Sequence, residues 1–445
     1  MHEGFFSFGK GSLLIKNASI VDVHGERESD ILIQDGIITE LGKGLKRNVD
    51  VQINASGFIV IPGAVDIHFH IREPGKSYEE DISSGTSAAV HGGITTLFMM
   101  PNTNPPIDNP QIVSFVVKKA YEKSRTRLYP TGCATEGRKG EKIAEYGLMK
   151  KEGIIAVTDD GRAVRSSFAM RKALEYSKNF SLPVIEHPED PELSGDANEG
   201  ILTVKFGISP YSPAAEEIIV ARDTILALHT DAHIHFTHIS TAGSVEIIKI
   251  AKEKIVKYGL KAKITCDVTP HHILMTENDV DITNANFKVN PPLRSEKDRT
   301  RLIEAIQEGI IDCIASDHAP HPDFEKMKDF SSAPPGFSCA DIFLPLCFKL
   351  VSEEIISLSK LTELISYNPA KIFGLNCGEI REGKWGDIVI FDPDKEFVVS
   401  EKVIFSKGKN SPYIGWKLKG LVKKTIVAGK VVYDLDEFEG KLISL

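Results

Sequence analysis

The sequence predicts an α/β chain: a (β/α)8 barrel of the TIM type with a smaller β domain assembled from its two ends. Two observations predict it. Short apolar runs ending in polar residues recur eight times, with helix-periodic segments between them. Both ends are instead rich in short strand patterns. Eight strand–helix alternations are the pattern of a parallel sheet closed into a barrel.

In chain order, "SLLIKNASIVDV", "DILIQDGIITELG" and "VQINASGFIVIPG" read as strands separated by Asn, Asp and Gly. They make residues 1–60 the first part of the small β domain. Residues 61–375 form the barrel. Its strands are "GAVDIHFH", "TTLFMMPN", "RLYPTGCAT", "GIIAVTDD", "LPVIEHPED", "HIHFTHIS", "KITCDVTPHH" and "DCIASDHAP". Segments such as "PQIVSFVVKKAYEKS", "AAEEIIVARDTILALH" and "SVEIIKIAKEKIVKYG" supply the helices. Residues 376–445, with "GDIVIFDPD" and "VKKTIVAGKVVYD", return to strands and complete the β domain.

Composition narrows the function. A net charge of −9 gives no general attraction to nucleic acid or to anionic membranes, so neither is an expected partner. The expected partner is a small-molecule substrate, and an anionic one would need positive charge placed locally. The N-terminus has no secretory pattern, and no apolar run reaches membrane-spanning length. Six scattered cysteines without a CxxC pair read as reduced thiols of a cytoplasmic protein.

The chemistry sits at the strand ends, where barrels of this kind place their active sites. Strand one ends in His68 and His70, which alternation puts on one face, with Ile67 and Phe69 on the other. Strand four ends in Asp159 and Asp160, strand five in His187 and strand six in His238. Strand eight ends in Asp317, followed by His318 and His321. Singly, each such residue is more often a satisfied polar group. Together, four histidines and two carboxylates are ligands for two divalent metals; imidazole with carboxylate suits zinc, and also nickel, cobalt or manganese. A metal lowers the pKa of its bound water, and Asp317 is the candidate general base and acid. No GxSxG or Cys/His pattern supports covalent catalysis. His2, His24, His91 and His229 read as incidental, and His233 and His235 as structural. His271 and His272, ending strand seven, are candidates to line the site. Residues 322–332 read either as a mobile lid or as a plain surface connection.

The motifs "HFHIREPG", "MPNT", "TDDG", "HIST", "NPPLR" and "ASDHAPH", with the tail "FSKGKNSPYIG", resemble the amidohydrolase superfamily. Within it they are most similar to the long-chain class of bacterial dihydroorotases. The resemblance spans nearly the whole chain. It implies a metal-dependent barrel with a small β-sandwich, and the reversible reaction of dihydroorotate with water to give N-carbamoyl-aspartate in pyrimidine synthesis. It makes His68, His70 and Asp317 ligands of one zinc ion, His187 and His238 ligands of a second, and Asp160 the bridge, with Asp159 the alternative. Substrate contacts fall on Arg72, Asn102, Asn290 and His321, with His70 beside them and the backbone of Pro335 and Gly336 closing over the ring. Relatives such as hydantoinases bridge their metals with a carboxylated lysine; an aspartate here implies two zinc ions per subunit with the second less firmly held. A homodimer and an association with aspartate carbamoyltransferase are the macromolecular options this class carries. Two other readings compete. One is an amidase for hydantoin, dihydrouracil or allantoin, which Arg72 and the aspartate disfavour. The other is an inactive scaffold subunit, which would have lost ligands that are all present.

Overall fold

The structure is a computed structural model and describes residues 10–437. Strands from both ends of the chain share one eight-stranded sheet. Its seam is Ile388–Val398 lying antiparallel to Ile59–Pro62, with Val389 opposite Ile61 and Phe391 opposite Ile59. On one flank of the seam lie Ser12–Asp22, Gly25–Gln34 and Ile37–Gly42; on the other lie Lys417–Val427 and Lys430–Asp434. The sheet folds back on itself, because Ile37 bridges Trp385 and the Gly386 N–H donates to Gly36 O at 2.8 Å. Alternating Leu13, Ile15, Ile31, Ile33, Val60, Ile388, Ile390 and Ile426 fill the enclosed core.

The barrel strands are parallel throughout. Ala64–Phe69, Ile94–Met99 and Arg127–Pro130 form one arc. Val184–Glu186, His233–Phe236, Lys263–Val268 and Cys313–Ile314 form the other. Isolated bridges from Val157 to Gly132 and to Val184 join the arcs on one side, and Phe69 to His318 closes the ring on the other. Strand four, read from sequence as a full strand, is reduced to that bridging residue. Past Val157 the backbone turns: the Asp160 N–H donates to Thr158 Oγ1 (3.0 Å) rather than to a neighbouring strand. Val65, Ile67, Phe98, Tyr129, Ile155, Ile185 and Cys313 share one buried cluster, the apolar interior of the barrel.

The outer helices form where the apolar spacing placed them. Ala242–Tyr258 is capped by Thr241, whose hydroxyl accepts the Ser244 N–H at 3.2 Å, and it stops at Gly259, where φ is +60°. Its buried face is Val245, Ile248 and Ala251, one turn apart in succession.

One ion pair fastens the two domains. Arg127, at the start of strand three, donates to Asp387 at 2.7 and 3.2 Å, both side chains buried. Its guanidinium also stacks 3.9 Å from the Trp385 ring, and Asp387 accepts the Ala428 N–H. Removing one partner of a buried pair leaves an uncompensated charge, worth about 3–5 kcal/mol. Asp387→Ala should therefore lower the urea midpoint strongly, and Glu28→Ala, which breaks an exposed pair with Lys43, should leave it in place. Similar midpoints for the two variants would show that Arg127–Asp387 is not the fastening.

Candidate active site

Between Asp66 and Phe69 the first strand carries one residue more than its neighbour. Asp66 pairs with Leu97 but Phe69 with Met99, so two residues of strand one face a single step of strand two. This β-bulge separates Ile67 and Phe69, which regular alternation would place together. Ile67 joins the barrel interior and Phe69 the layer beneath the helices. His68 and His70 still converge, Nε2 to Nε2 at 3.2 Å. Asp66 pins the bulge by accepting the His68 N–H (3.3 Å) and the Ser316 N–H (3.0 Å), which ties strand one to strand eight beside Asp317.

Six side chains meet there. Asp317 Oδ1 lies 3.1 Å from His70 Nε2 and 3.4 Å from His68 Nε2. Asp160 Oδ1 lies 3.2 Å from His68 Nε2 and 3.6 Å from His187 Nδ1, and its Oδ2 is 3.5 Å from His70 Nε2. His187 Nδ1 and His238 Nε2 are 2.9 Å apart. His238 and Asp317 have left-handed backbones, with φ of +38° and +48°. That conformation is costly for non-glycine residues and concentrates at functional sites. Asp267 holds the first of these, accepting the His238 N–H at 2.8 Å.

Each of three histidines has its outer nitrogen committed. His68 Nδ1 meets Thr237 Oγ1 (2.6 Å), His70 Nδ1 meets Asn102 Oδ1 (3.0 Å), and His187 Nε2 meets Glu189 Oε2 (2.7 Å). The inner nitrogens therefore point at one another and at two carboxylates, the arrangement of imidazoles oriented as metal ligands. Both Asp160 oxygens and His238 Nδ1 are buried without an aligned hydrogen-bond partner. Ligand atoms of His68, His70 and Asp317, and of His68, Asp160 and His238, lie within 4.8 Å of one another. These residues fit a divalent metal site.

The electrostatics point the same way. Burial alone would lower the His68 and His187 pKa values. The charges of Asp160 and Asp317 overcome that at His68, raising it to about 9; Asp160 and Glu189 raise His187 to about 10. Burial keeps His70 and His238 below the usual imidazole range, and the two protonated neighbours press His238 lower still. Burial would raise Asp160 and Asp317, but the facing imidazoles hold both below the usual carboxylate range. Without metal, two protons thus balance two carboxylates; a divalent cation takes the place of those protons.

Arg72, Asn102, Asn290, His321, Pro335 and Gly336 line the same cleft of about 200 Å³, together with the six residues of the cluster. Arg72 is buried, and Glu79 Oε2 lies 3.5 Å from its Nε without an aligned hydrogen bond. Gly336 has φ of +138°, and a Cβ there would come within 2.7 Å of Ala319 Cβ, so only glycine fits.

Other histidines are placed elsewhere. Asp159 turns away from the cluster, accepting the Thr135 N–H (2.9 Å) and hydroxyl. His271 and His272 do not line the cleft: they open a short helix, Pro270–Leu274, and His272 contacts Thr269 and Pro291. The chain bends into that helix before either ring reaches the site. His318 Nδ1 accepts the Cys339 and Ala340 N–H groups, and His235 pairs with Asp267. His2 lies outside the described residues. Thr237, Glu189, Gly161, Ala319 and Pro334 were not singled out in the sequence. Only Glu189, two residues beyond His187 in "EHPED", stands where spacing to a ligand could have found it.

A histidine pKa raised by folding contributes stability that is complete below the unfolded value of 6.5 and lost as pH rises through about 9 and 10. Chelator-treated protein should therefore lose thermal stability over that range, whereas metal-saturated protein, with neutral ligand histidines, should not. Parallel melting curves for the two forms from pH 6.5 to 10 would rule out the exchange of protons for metal.

The amidohydrolase family model matches residues 59–432. The chain is 46% identical over 425 residues to a dihydroorotase of Aquifex aeolicus, covering 95% of this chain and 99% of that protein. It is 44% identical over 427 residues to a dihydroorotase of Caldicellulosiruptor saccharolyticus, covering 94% and 98%. Among solved structures it resembles an L-hydantoinase (dihydropyrimidinase) from Arthrobacter aurescens, with a TM-score of 0.85 at 24% identity, covering 95% of this chain and 96% of that one. A D-hydantoinase structure gives a TM-score of 0.81 at 24% identity, covering 95% of each chain. These structural likenesses concern the fold. With a metal-fitting cluster at the C-terminal ends of its barrel strands, the chain belongs to the amidohydrolase family of metal-dependent hydrolases, in its dihydroorotase branch.

Proposed function

We propose that the chain interconverts dihydroorotate and N-carbamoyl-aspartate in pyrimidine synthesis, with two zinc ions, in the cytoplasm. Six buried free cysteines support that compartment, and no helix among the described residues is long and apolar enough to cross a membrane. The observation that carries the substrate is Arg72. A buried guanidinium is costly unless an anion pairs with it. Its neighbour Glu79 meets Lys76 through Oε1 at 2.6 Å and gives Arg72 only a loose 3.5 Å contact through Oε2. The planar fork shares its cleft with the metal ligands and matches a ring carboxylate, which dihydroorotate has and dihydrouracil lacks.

His68, His70, Asp160, His187, His238 and Asp317 would hold the metal, which when bound would supply a water of lowered pKa and polarise the ring carbonyl. The chain's own groups do the rest. Asp317 takes the proton of the attacking water and returns it to the leaving ring nitrogen; cyclisation runs the same transfers backwards. Asn102 holds His70 through Oδ1 and keeps its NH2 for the substrate. Asn290 is held from the other side, its Nδ2 donating to Glu189 at 2.9 Å, with Oδ1 buried and unpartnered. His321 Nε2 lies 3.4 Å from Arg72 Nη2 and 3.0 Å from Pro335 O, between the guanidinium and the backbone that covers the ring.

The direct test is turnover of dihydroorotate and dihydrouracil by the same metal-loaded protein; preference for dihydrouracil would overturn the reading. A charge-assisted hydrogen bond contributes roughly 1.5–3 kcal/mol, about 10–150-fold in kcat/KM. Arg72→Met should lose at least that on dihydroorotate, keep its metal and change little on dihydrouracil. Equal losses would make Arg72 a support of the site. Asp317→Asn should retain the fold and most of the metal while kcat falls on the order of 10²–10⁴-fold; near-normal turnover would relieve Asp317 of proton transfer.

A further inference from the structure

The cleft is covered by residues 334–336, and the group that holds this cover lies outside the cleft. Just beyond strand eight, Asp323–Lys326 forms one helical turn. The ammonium of Lys326 is buried beneath the cover. It donates to Pro334 O at 2.8 Å and Ala285 O at 3.0 Å, with Lys288 O at 3.5 Å. The same Lys288 carbonyl accepts the Gly336 N–H at 2.9 Å. Pro334 and Gly336, on either side of Pro335, are thereby tied to one segment, 285–288, which leads directly into Asn290. Lys288 closes the assembly from the other side, its Nζ donating to Ser331 O (2.8 Å) and Asp196 Oδ1 (2.7 Å).

This is an expensive way to fill space. A buried ammonium costs far more than the methionine that would occupy the same volume. Among the described residues no carboxylate lies within 4.0 Å of Lys326 Nζ, so carbonyls alone compensate the charge. Those carbonyls come from the cover itself, Pro334, and from the segment that leads into Asn290, Ala285 and Lys288. A Cβ on Gly336 would come within 2.7 Å of Ala319 Cβ and 2.8 Å of Ala319 O, so the backbone of the cover runs close against Ala319.

We propose that Lys326 is a positioning residue for substrate binding, which sets the Pro334–Gly336 cover at the height of the ring by gathering the carbonyls of both loops. The proposal rests on the reading of Pro335 and Gly336 as the substrate cover. It assigns Lys326 no contact with the reacting atoms. Residues 322–332 are on this view an anchored rim, in keeping with the burial of Lys326 and Phe330.

The protonation of Lys326 gives a second readout. Burial and the charge of Lys288 lower its pKa to about 7, against the pull of Glu325. The groups facing it are Lys288, paired with Asp196, from the loops after strands seven and five, and Glu325 and His321 from its own side, with Arg72 behind His321. Below pH 7 the charged clasp is complete; above it the amine keeps fewer and weaker donors. Stability moves the opposite way. A lysine pKa lowered by folding means that the unfolded chain holds its proton more tightly, so the fold gains stability as pH rises from about 7 towards 10.5.

The experiment is steady-state hydrolysis of dihydroorotate by metal-loaded wild type and Lys326→Met from pH 6 to 8.5, with metal content measured on each sample. In the variant KM should rise roughly 10-fold or more at pH 6, with kcat within about threefold and metal unchanged. In the wild type KM should rise as pH passes through about 7 while thermal stability does not fall; in the variant KM should be flat. An unchanged KM in Lys326→Met, or a loss confined to kcat or accompanied by metal loss, overturns the proposal. Should that variant fail to fold, the wild-type profile decides alone: a KM flat across pH 7 overturns it. A wild type that does not turn over dihydroorotate would instead refute the functional reading, and is distinguishable on that ground.

Discussion

Four imidazoles and two carboxylates buried in one cluster are the constraint on which the rest of the molecule turns. Desolvating so many titratable groups is unfavourable unless charge is balanced within the cluster. The balance is struck between Asp160 and Asp317 on one side and His68 and His187 on the other, and a divalent metal satisfies the same geometry. That requires the inner nitrogens to converge, which a regular parallel strand end would not by itself achieve. His238 and Asp317 reach the cluster with left-handed backbones, and the bulge between Asp66 and Phe69 leaves His68 and His70 converging. Asp66 and Asp267 hold two of these in place through main-chain N–H groups.

The titratable cluster sits at one end of the barrel and the fastening to the β domain at the other. The barrel interior is apolar from Val65 to Cys313, and its strand starts rest on the β domain through Arg127, Asp387 and Trp385. Barrels divide in this way because loops at the C-terminal face can vary without touching the packing of the N-terminal face. Here the division also separates two uses of buried charge. Arg127 has a bidentate carboxylate and is committed. Arg72, at the opposite end, has only a loose neighbour and remains available to an incoming anion.

The six residues of the cluster were legible in the sequence because their signals are local. His68 with His70, Asp160, His187, His238 and Asp317 each follow an apolar run, so strand ends could be read and the cluster assembled from topology alone. The seam between Ile59–Pro62 and Ile388–Val398 was legible only as two β-rich ends, since pairing across so many residues leaves no mark on either strand. Less legible was anything depending on a single irregular turn. The bulge that parts Ile67 from Phe69 has no signature in "DIHFH", and no periodicity shows the turn after strand four in which the Asp160 N–H donates to Thr158. His271 and His272 illustrate the same limit, because a helix beginning at Pro270 removes them from a site their position in sequence would suggest. Thr237 and Glu189, which fix two imidazoles, are ordinary polar residues until the partner ring is seen across 2.6 or 2.7 Å.

The likeness to hydantoinases bears on where specificity resides. A TM-score of 0.85 at 24% identity means that barrel, β domain and connections are shared by chains whose side chains largely differ. A shared fold does not by itself choose a substrate. The contacts proposed for the substrate of this chain are carried by loops. Arg72 follows strand one, Asn102 strand two, Asn290 the segment after strand seven, and His321 strand eight. Loops are individually mobile, and a bidentate contact is worth its full value only when the geometry is fixed in advance. The chain meets that requirement by joining loops to one another: His321 to Pro335, Asn290 to Glu189, and Pro334 and Gly336 to the segment 285–288. Under the proposed function, selectivity for a carboxylate-bearing ring is a property of this loop network rather than of the barrel beneath it.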